Sequence, residues 1–156
     1  MQETKTLLFP IFEEAKQQDV KRLQDFLIEN KLKPSISINE NSIYLIALID
    51  GQIMGSIGAE FNTHCALIRA AGVAQPYRGK GIGKNLFQHL VAKLESKNIF
   101  NLYLFSRQAA EFWTSTGFTK CTVEEVIEAL PHAPQVMEFV ADGSIWTDVA
   151  WRRQLK

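Results

Sequence analysis

Arg78-Gly79-Lys80-Gly81-Ile82-Gly83-Lys84 sets three glycines at alternate positions among three cations. Glycine tolerates positive φ, so such a run can curl and aim successive N–H groups into one concavity. From Ile82 onward, Leu86, Leu90 and Leu94 recur at steps of four, which predicts an amphipathic helix ending near Lys97 and Asn98. That helix would bring its positive dipole end to the same concavity, where a pyrophosphate would fit, and Arg78, Lys80 and Lys84 would add local charge. Two other phosphate loops are excluded. A P-loop needs glycine where Arg78 stands and serine or threonine where Asn85 stands. The dinucleotide pattern G-x-G-x-x-G would end on Leu86 if it began at Gly81, and on Lys84 if it began at Gly79. The alternative without a ligand is a tight strand-to-helix turn.

Residues 66–74 before this loop and 99–105 after the helix read as strands; strand, glycine turn, helix and strand form a crossover unit that favours two parallel neighbours. Upstream, residues 43–49 are rich in strand formers and run into Asp50-Gly51, a hairpin signal because both positions tolerate positive φ, with residues 52–61 returning. Gly55 and Gly58 leave that strand short of side chains, where a ligand or another backbone can approach. Residues 6–12 read as a first strand after a polar tail over 1–5, and Pro10 confines it to a sheet edge. Val20, Leu23, Phe26 and Leu27 predict a surface helix over 17–30, and Pro34 with its serine and asparagine neighbours predicts an irregular loop over 31–41. Downstream, a short helix over 108–116 is stopped by Gly117 at its C′ position. Strands over 118–123 and 136–140 enclose a helical turn over 125–130, and the tail 144–156, with Trp146 and Trp151, reads as a docked helix. The expected fold is α/β (α+β): one domain over 1–156, with a mixed twisted sheet of about six to seven strands and helices on both faces.

A chain of 156 residues has room for one ordinary domain with a sizeable core. Its 46% apolar and 22% charged residues are those of a globular protein. Lysine plus arginine equal aspartate plus glutamate at 17 each, so no global field draws the chain to nucleic acid or an anionic membrane, and any anion site must be local. The short apolar runs and the polar start, without a signal-peptide profile, predict a cytoplasmic protein with neither membrane nor nucleic-acid partners. Cys65 and Cys121 read as free thiols; with His64, His89 and His132 scattered, no metal site is expected.

Arg78-x-x-Gly81-x-Gly83 after Val73-Ala74-Gln75-Pro76-Tyr77 resembles motif A of the GNAT N-acetyltransferase family, and Ala109-x-x-Phe112-Trp113-x-x-x-Gly117-Phe118 resembles the signature that follows it. Gly58-Ala59-Glu60, followed by Ala66-Leu67-Ile68-Arg69-Ala70-Ala71-Gly72-Val73, is similar to the arsenic-operon-associated branch, whose substrates are thought to be amino acids or analogues. The resemblance implies acetyl-CoA as acetyl donor, with the glycine loop on the coenzyme A pyrophosphate and the pantetheine arm in an opening where two parallel strands splay. It implies a cofactor-binding set of Gly72, Val73, Arg78, Gly79, Lys80, Gly81, Ile82, Gly83, Lys84, Ser106 and Phe112, with the Val73 N–H polarising the acetyl carbonyl. Beyond Phe118 the likeness fades.

Acetyl transfer needs a neutral amine, a donor for the carbonyl oxygen and an outlet for the thiolate. Glu60 is the candidate catalytic base, with His64 in reserve; the alternative makes Glu60 an exposed strand-end carboxylate or a partner of Arg69. Arg69 stands in an apolar strand and needs a carboxylate, either that of Glu60 or that of an amino-acid-like substrate. Trp113 occupies a position where many relatives carry a tyrosine that protonates the thiolate, which an indole cannot do. It is then either a wall of the acceptor pocket, with Glu60 and Arg69 as the other substrate-binding candidates, or buried core. Ser106, where many relatives carry asparagine, either assists the thiolate or simply ends its strand. Three functions are weighed: acetylation of a small-molecule amine; acetylation of protein N-termini or lysines, which the non-acidic loop 31–41 disfavours; and a coenzyme A sensor or interaction module that has lost turnover. An exposed tryptophan face in the tail would indicate a homodimer.

Overall fold

The computed structural model describes residues 9–156. Their seven-stranded sheet has the order β1 (Ile11–Glu14), β2 (Ser42–Ile49), β3 (Gln52–Phe61), β4 (Cys65–Val73), β5 (Asn101–Phe105), β7 (Ala150–Gln154), β6 (Thr119–Cys121). All neighbours are antiparallel except β4 and β5, which close the crossover through α2 (Ile82–Ser96). Ile82, Leu86, Phe87, Leu90 and Leu94 of α2, with Trp113 of α3 (Ala110–Ser115), pack on the sheet residues Ala47, Ile57, Ile68 and Leu104. On the other face, α1 (Val20–Glu29) sets Leu23, Phe26 and Leu27 against Tyr44 and Ile46. Beside it, α4 (Val123–Ala129) and α5 (Pro134–Asp142) set Val126, Val136 and Phe139 against Leu67. Among the described residues no helix is long and apolar enough to cross a membrane.

Local chemistry explains the joints. Asp50 and Gly51 take φ of 53° and 76°, the paired positive values of a tight hairpin turn whose twist matches the strands. After α3, the Phe118 N–H reaches back to the Trp113 carbonyl and the Gly117 N–H to that of Thr114, the bond pair of a glycine-terminated helix. Gly58 has a different reason to lack a side chain: a Cβ there would lie 2.2 Å from Cδ1 of Tyr44, whose ring is wholly buried over the strand. Gly58→Ala is therefore expected to destabilise the fold by about 1–3 kcal/mol, as overpacked cores do, read as a lower urea midpoint with an unchanged slope.

Three expectations are corrected. The first strand begins at Ile11, after Pro10, and lies at the sheet edge as predicted; residues 6–8 of the expected strand fall outside the described residues. The expected strand over 136–140 is helix α5: Pro134 sits in its first turn, and Val136 and Phe139, three apart, are buried on one side. The tail is not a docked helix but a 3-10 turn, Ser144–Thr147, followed by β7. β5 needs this partner because the other side of its C-terminal end loses β4 beyond Leu104, and β7 pairs with every residue of β5. Trp151 is buried at that seam with its indole N–H on the Ser106 carbonyl at 3.0 Å, whereas Trp146 is exposed.

Candidate functional site

The β4–β5 ladder ends at Ile68 and Leu104, yet β4 continues to Val73 on β3 alone. The backbone of Arg69 to Val73 on the β5 side therefore borders an opening rather than a ladder. Ala74, one residue past the strand, gives its N–H to the Met54 carbonyl of β3 at 2.8 Å. Since antiparallel strands point alternate residues to alternate sides, the Val73 N–H faces away from β3 into the opening. The Val73 carbonyl on that same side accepts Arg78 Nε at 2.9 Å, tying the splayed strand to the glycine loop.

In the loop, Gly79 and Gly81 take φ of 77° and 84°, and a Cβ at either would meet no atom within 4 Å. Among the described residues, the N–H groups of Gly79, Lys80, Gly81, Ile82, Gly83 and Lys84 have no hydrogen-bond acceptor in the chain. Six consecutive unpaired donors at the start of a 15-residue helix are the arrangement a bound anion satisfies. Arg78, Lys80 and Lys84 are exposed around them, and none joins a described ion pair. Phe112 of α3 closes the ring: a Cβ on Gly83 would lie 3.6 Å from Val73 Cγ2 and 3.8 Å from Phe112 Cε1. The strand end and the loop that follows it thus meet the second signature, distant in sequence, around one glycine. The residues fit a diphosphate-bearing group with an extended arm.

Residues 1–118 match the model of the acetyltransferase (GNAT) family, which is three quarters of the chain. The chain belongs to that family. Among curated relatives, the probable N-acetyltransferase camello of Xenopus tropicalis is 28% identical over 108 residues, 65% of this chain and 49% of its own, so the chain spans about half that relative's length. Among solved structures, a GNAT-family acetyltransferase of Staphylococcus aureus superposes with a TM-score of 0.73 at 19% identity, covering 94% of this chain and 99% of that one. The Neisseria gonorrhoeae N-acetylglutamate synthase complexed with coenzyme A and N-acetyl-glutamate gives 0.73 at 19% identity, covering 97% of this chain and 36% of that one. A Clostridium acetobutylicum predicted acetyltransferase with acetyl-CoA gives 0.60 at 18% identity over 72% and 91%.

In this GNAT chain Glu60 and Arg69 sit together, away from solvent. Arg69 Nη1 lies 3.0 Å from Glu60 Oε2, with side chains 2% and 4% exposed. The other carboxylate oxygen accepts the Gln135 N–H of α5 at 2.9 Å, and the guanidinium also donates to the carbonyls of Ser35 and Lys33. The pair therefore staples the loop after α1 and the start of α5 to the sheet. Of the two partners foreseen for Arg69, the protein's own carboxylate is the one the fold provides. An exposed Glu60 is overturned, and both its oxygens are engaged rather than aimed at the opening. Trp113 likewise belongs to the core: it is 5% exposed and meets Phe87, Phe112 and Phe118 edge to face, which removes it as a pocket wall. Ser106 turns its hydroxyl to the Gln108 carbonyl and its N–H to Val149, the strand-ending role. His64 is exposed in the β3–β4 turn.

Tyr44, Leu32 and Ser56 went unremarked in the sequence reading. Among the described residues neither the buried Tyr44 hydroxyl nor the buried Arg69 Nε has a partner, and burial, with the Glu60 charge adding to it against Arg69, pushes the phenol up to about 12. Leu32 covers Gly72, whose Cβ would come within 2.6 Å of it. A cavity of about 770 Å³ opens at the far end of β3 and β4, between Asn39, Asn62, His132 and Pro134, and includes no glycine-loop residue. Burial raises both thiols, Cys121 to about 11, so neither offers a thiolate near neutral pH.

Proposed function

We propose that this chain is an acetyl-CoA-dependent N-acetyltransferase that acetylates the amine of a small molecule, with an amino acid or an analogue as the preferred class. The observation that carries the reading is the meeting of six unpaired loop amides with the splayed end of β4 around Gly83. Bound acetyl-CoA supplies the acetyl group as a thioester. The amides from Gly79 to Lys84, with Arg78, Lys80 and Lys84, hold the diphosphate; Gly72, Val73 and Phe112 line the arm. The Val73 N–H, directed into the opening, donates to the oxygen of the carbonyl under attack, where a preorganised donor acts most strongly. Glu60 and Arg69 contribute by holding the chain after α1 over β4, through the Lys33 and Ser35 carbonyls. That chain packs down onto Gly72 through Leu32, which supports a compact acceptor over an extended peptide.

Steady-state thiol release from acetyl-CoA with a panel of amino acids, polyamines and N-terminal peptides tests this. Acceptor-dependent release is expected with small amines; tight binding of acetyl-CoA with no such release from any acceptor would replace the enzyme by a coenzyme A sensor. Arg78→Ala removes both a cation and the tie to Val73, and is expected to weaken coenzyme A binding by about 10- to 100-fold in calorimetry, the worth of a charge-assisted hydrogen bond.

A further inference from the structure

Ala70 lies within β4 at a φ of 55°, where an L side chain costs about 1–2 kcal/mol. The register explains why it is there. Gly58 faces Arg69 but Ser56 faces Gly72, so Ile57 opposes two residues, Ala70 and Ala71. This is a bulge whose first residue is left-handed, a position usually held by glycine. Ser56, 1% exposed, donates its hydroxyl to the Ala70 carbonyl at 2.6 Å. The buried hydroxyl thus anchors the carbonyl of a residue that is, among the described strands, alone in this costly conformation.

The extra residue inverts everything after it, because strand groups alternate with a period of two. Ile68 before the bulge and Val73 five residues on both pack on the α2 side, where uninterrupted alternation would set them on opposite faces, and the N–H directions invert with the side chains. Without the bulge the Val73 N–H would be spent on β3; with it, that donor faces the opening.

We propose that Ser56 is a positioning residue: its hydroxyl holds Ala70 left-handed and so turns the Val73 N–H toward the acyl carbonyl oxygen. This rests on acetyl-CoA binding at the splay. The readout is the thioester carbonyl band of bound acetyl-CoA in difference infrared spectra, which a hydrogen bond moves to lower frequency, with coenzyme A affinity measured in parallel by calorimetry. The wild type is expected to lower the band. Ser56→Ala should lose roughly half of that displacement or more, while coenzyme A affinity stays within about twofold because the glycine loop is untouched. Ser56→Ala/Ala70→Gly, where glycine accepts the positive φ unaided, should regain it, and Ser56→Thr, which keeps the hydroxyl, should retain it. An undiminished displacement in Ser56→Ala, or a double variant no better than Ser56→Ala, overturns the role of Ser56 while leaving the donor assignment standing. A wild type that binds neither coenzyme A nor acetyl-CoA overturns the donor assignment, and the role of Ser56 with it.

Discussion

Replacing Gly79 and Gly81 together by alanine is expected to weaken coenzyme A binding by roughly 30- to 700-fold. Each residue holds a left-handed backbone, at φ of 77° and 84°, that disfavours alanine by about 1–2 kcal/mol, and the two penalties together correspond to that range. The variant should keep its fold, because neither new Cβ meets an atom within 4 Å. Calorimetric titration with coenzyme A, beside a circular dichroism melt, checks both halves. Wild-type affinity in the double variant would mean that the loop amides do not converge on the diphosphate.

The second large effect concerns stability. Arg69→Met leaves the Glu60 carboxylate buried with only the Gln135 N–H for company, and stranding one member of a buried pair costs about 3–5 kcal/mol. For a chain of this size that is a fall in Tm of roughly 6–20 °C. Adding Glu60→Leu to Arg69→Met removes the stranded charge and should recover most of the loss. Failure of the double variant to recover would point instead to the Lys33 and Ser35 carbonyls, which lose their donors in both variants. Were Glu60 a solvent-facing base, Glu60→Gln would lower turnover without moving Tm.

The glycine loop was legible because its requirements are local: positive φ at Gly79 and Gly81, free amides at the start of a helix, and cations beside them are properties of seven consecutive residues. The hairpin at Asp50-Gly51 and the stop at Gly117 were legible for the same reason. The strand misread over 136–140 shows the limit. A short apolar run satisfies either period, and the deciding contacts of Val136 and Phe139 lie in another part of the chain. Glu60 and Arg69 were correctly singled out as a coupled charge problem, but whether the answer was catalysis or structure depended on burial. Ser56 and Ala70 carried no signal at all, since neither residue type announces a bulge.

What the sequence by itself determined were the elements whose backbone geometry is written in adjacent residues: the strand, glycine turn and helix that carry the loop amides proposed to hold the diphosphate, and the two signatures that mark a GNAT chain. Tertiary structure alone decided that the tail from Ala150 becomes a strand between β5 and β6, that Glu60 and Arg69 neutralise each other out of water, and that a one-residue slip beside Ser56 turns Val73 outward. Each of those outcomes follows from which distant partner a backbone or side chain meets, and pairing energies between remote segments leave no periodicity in the segments themselves.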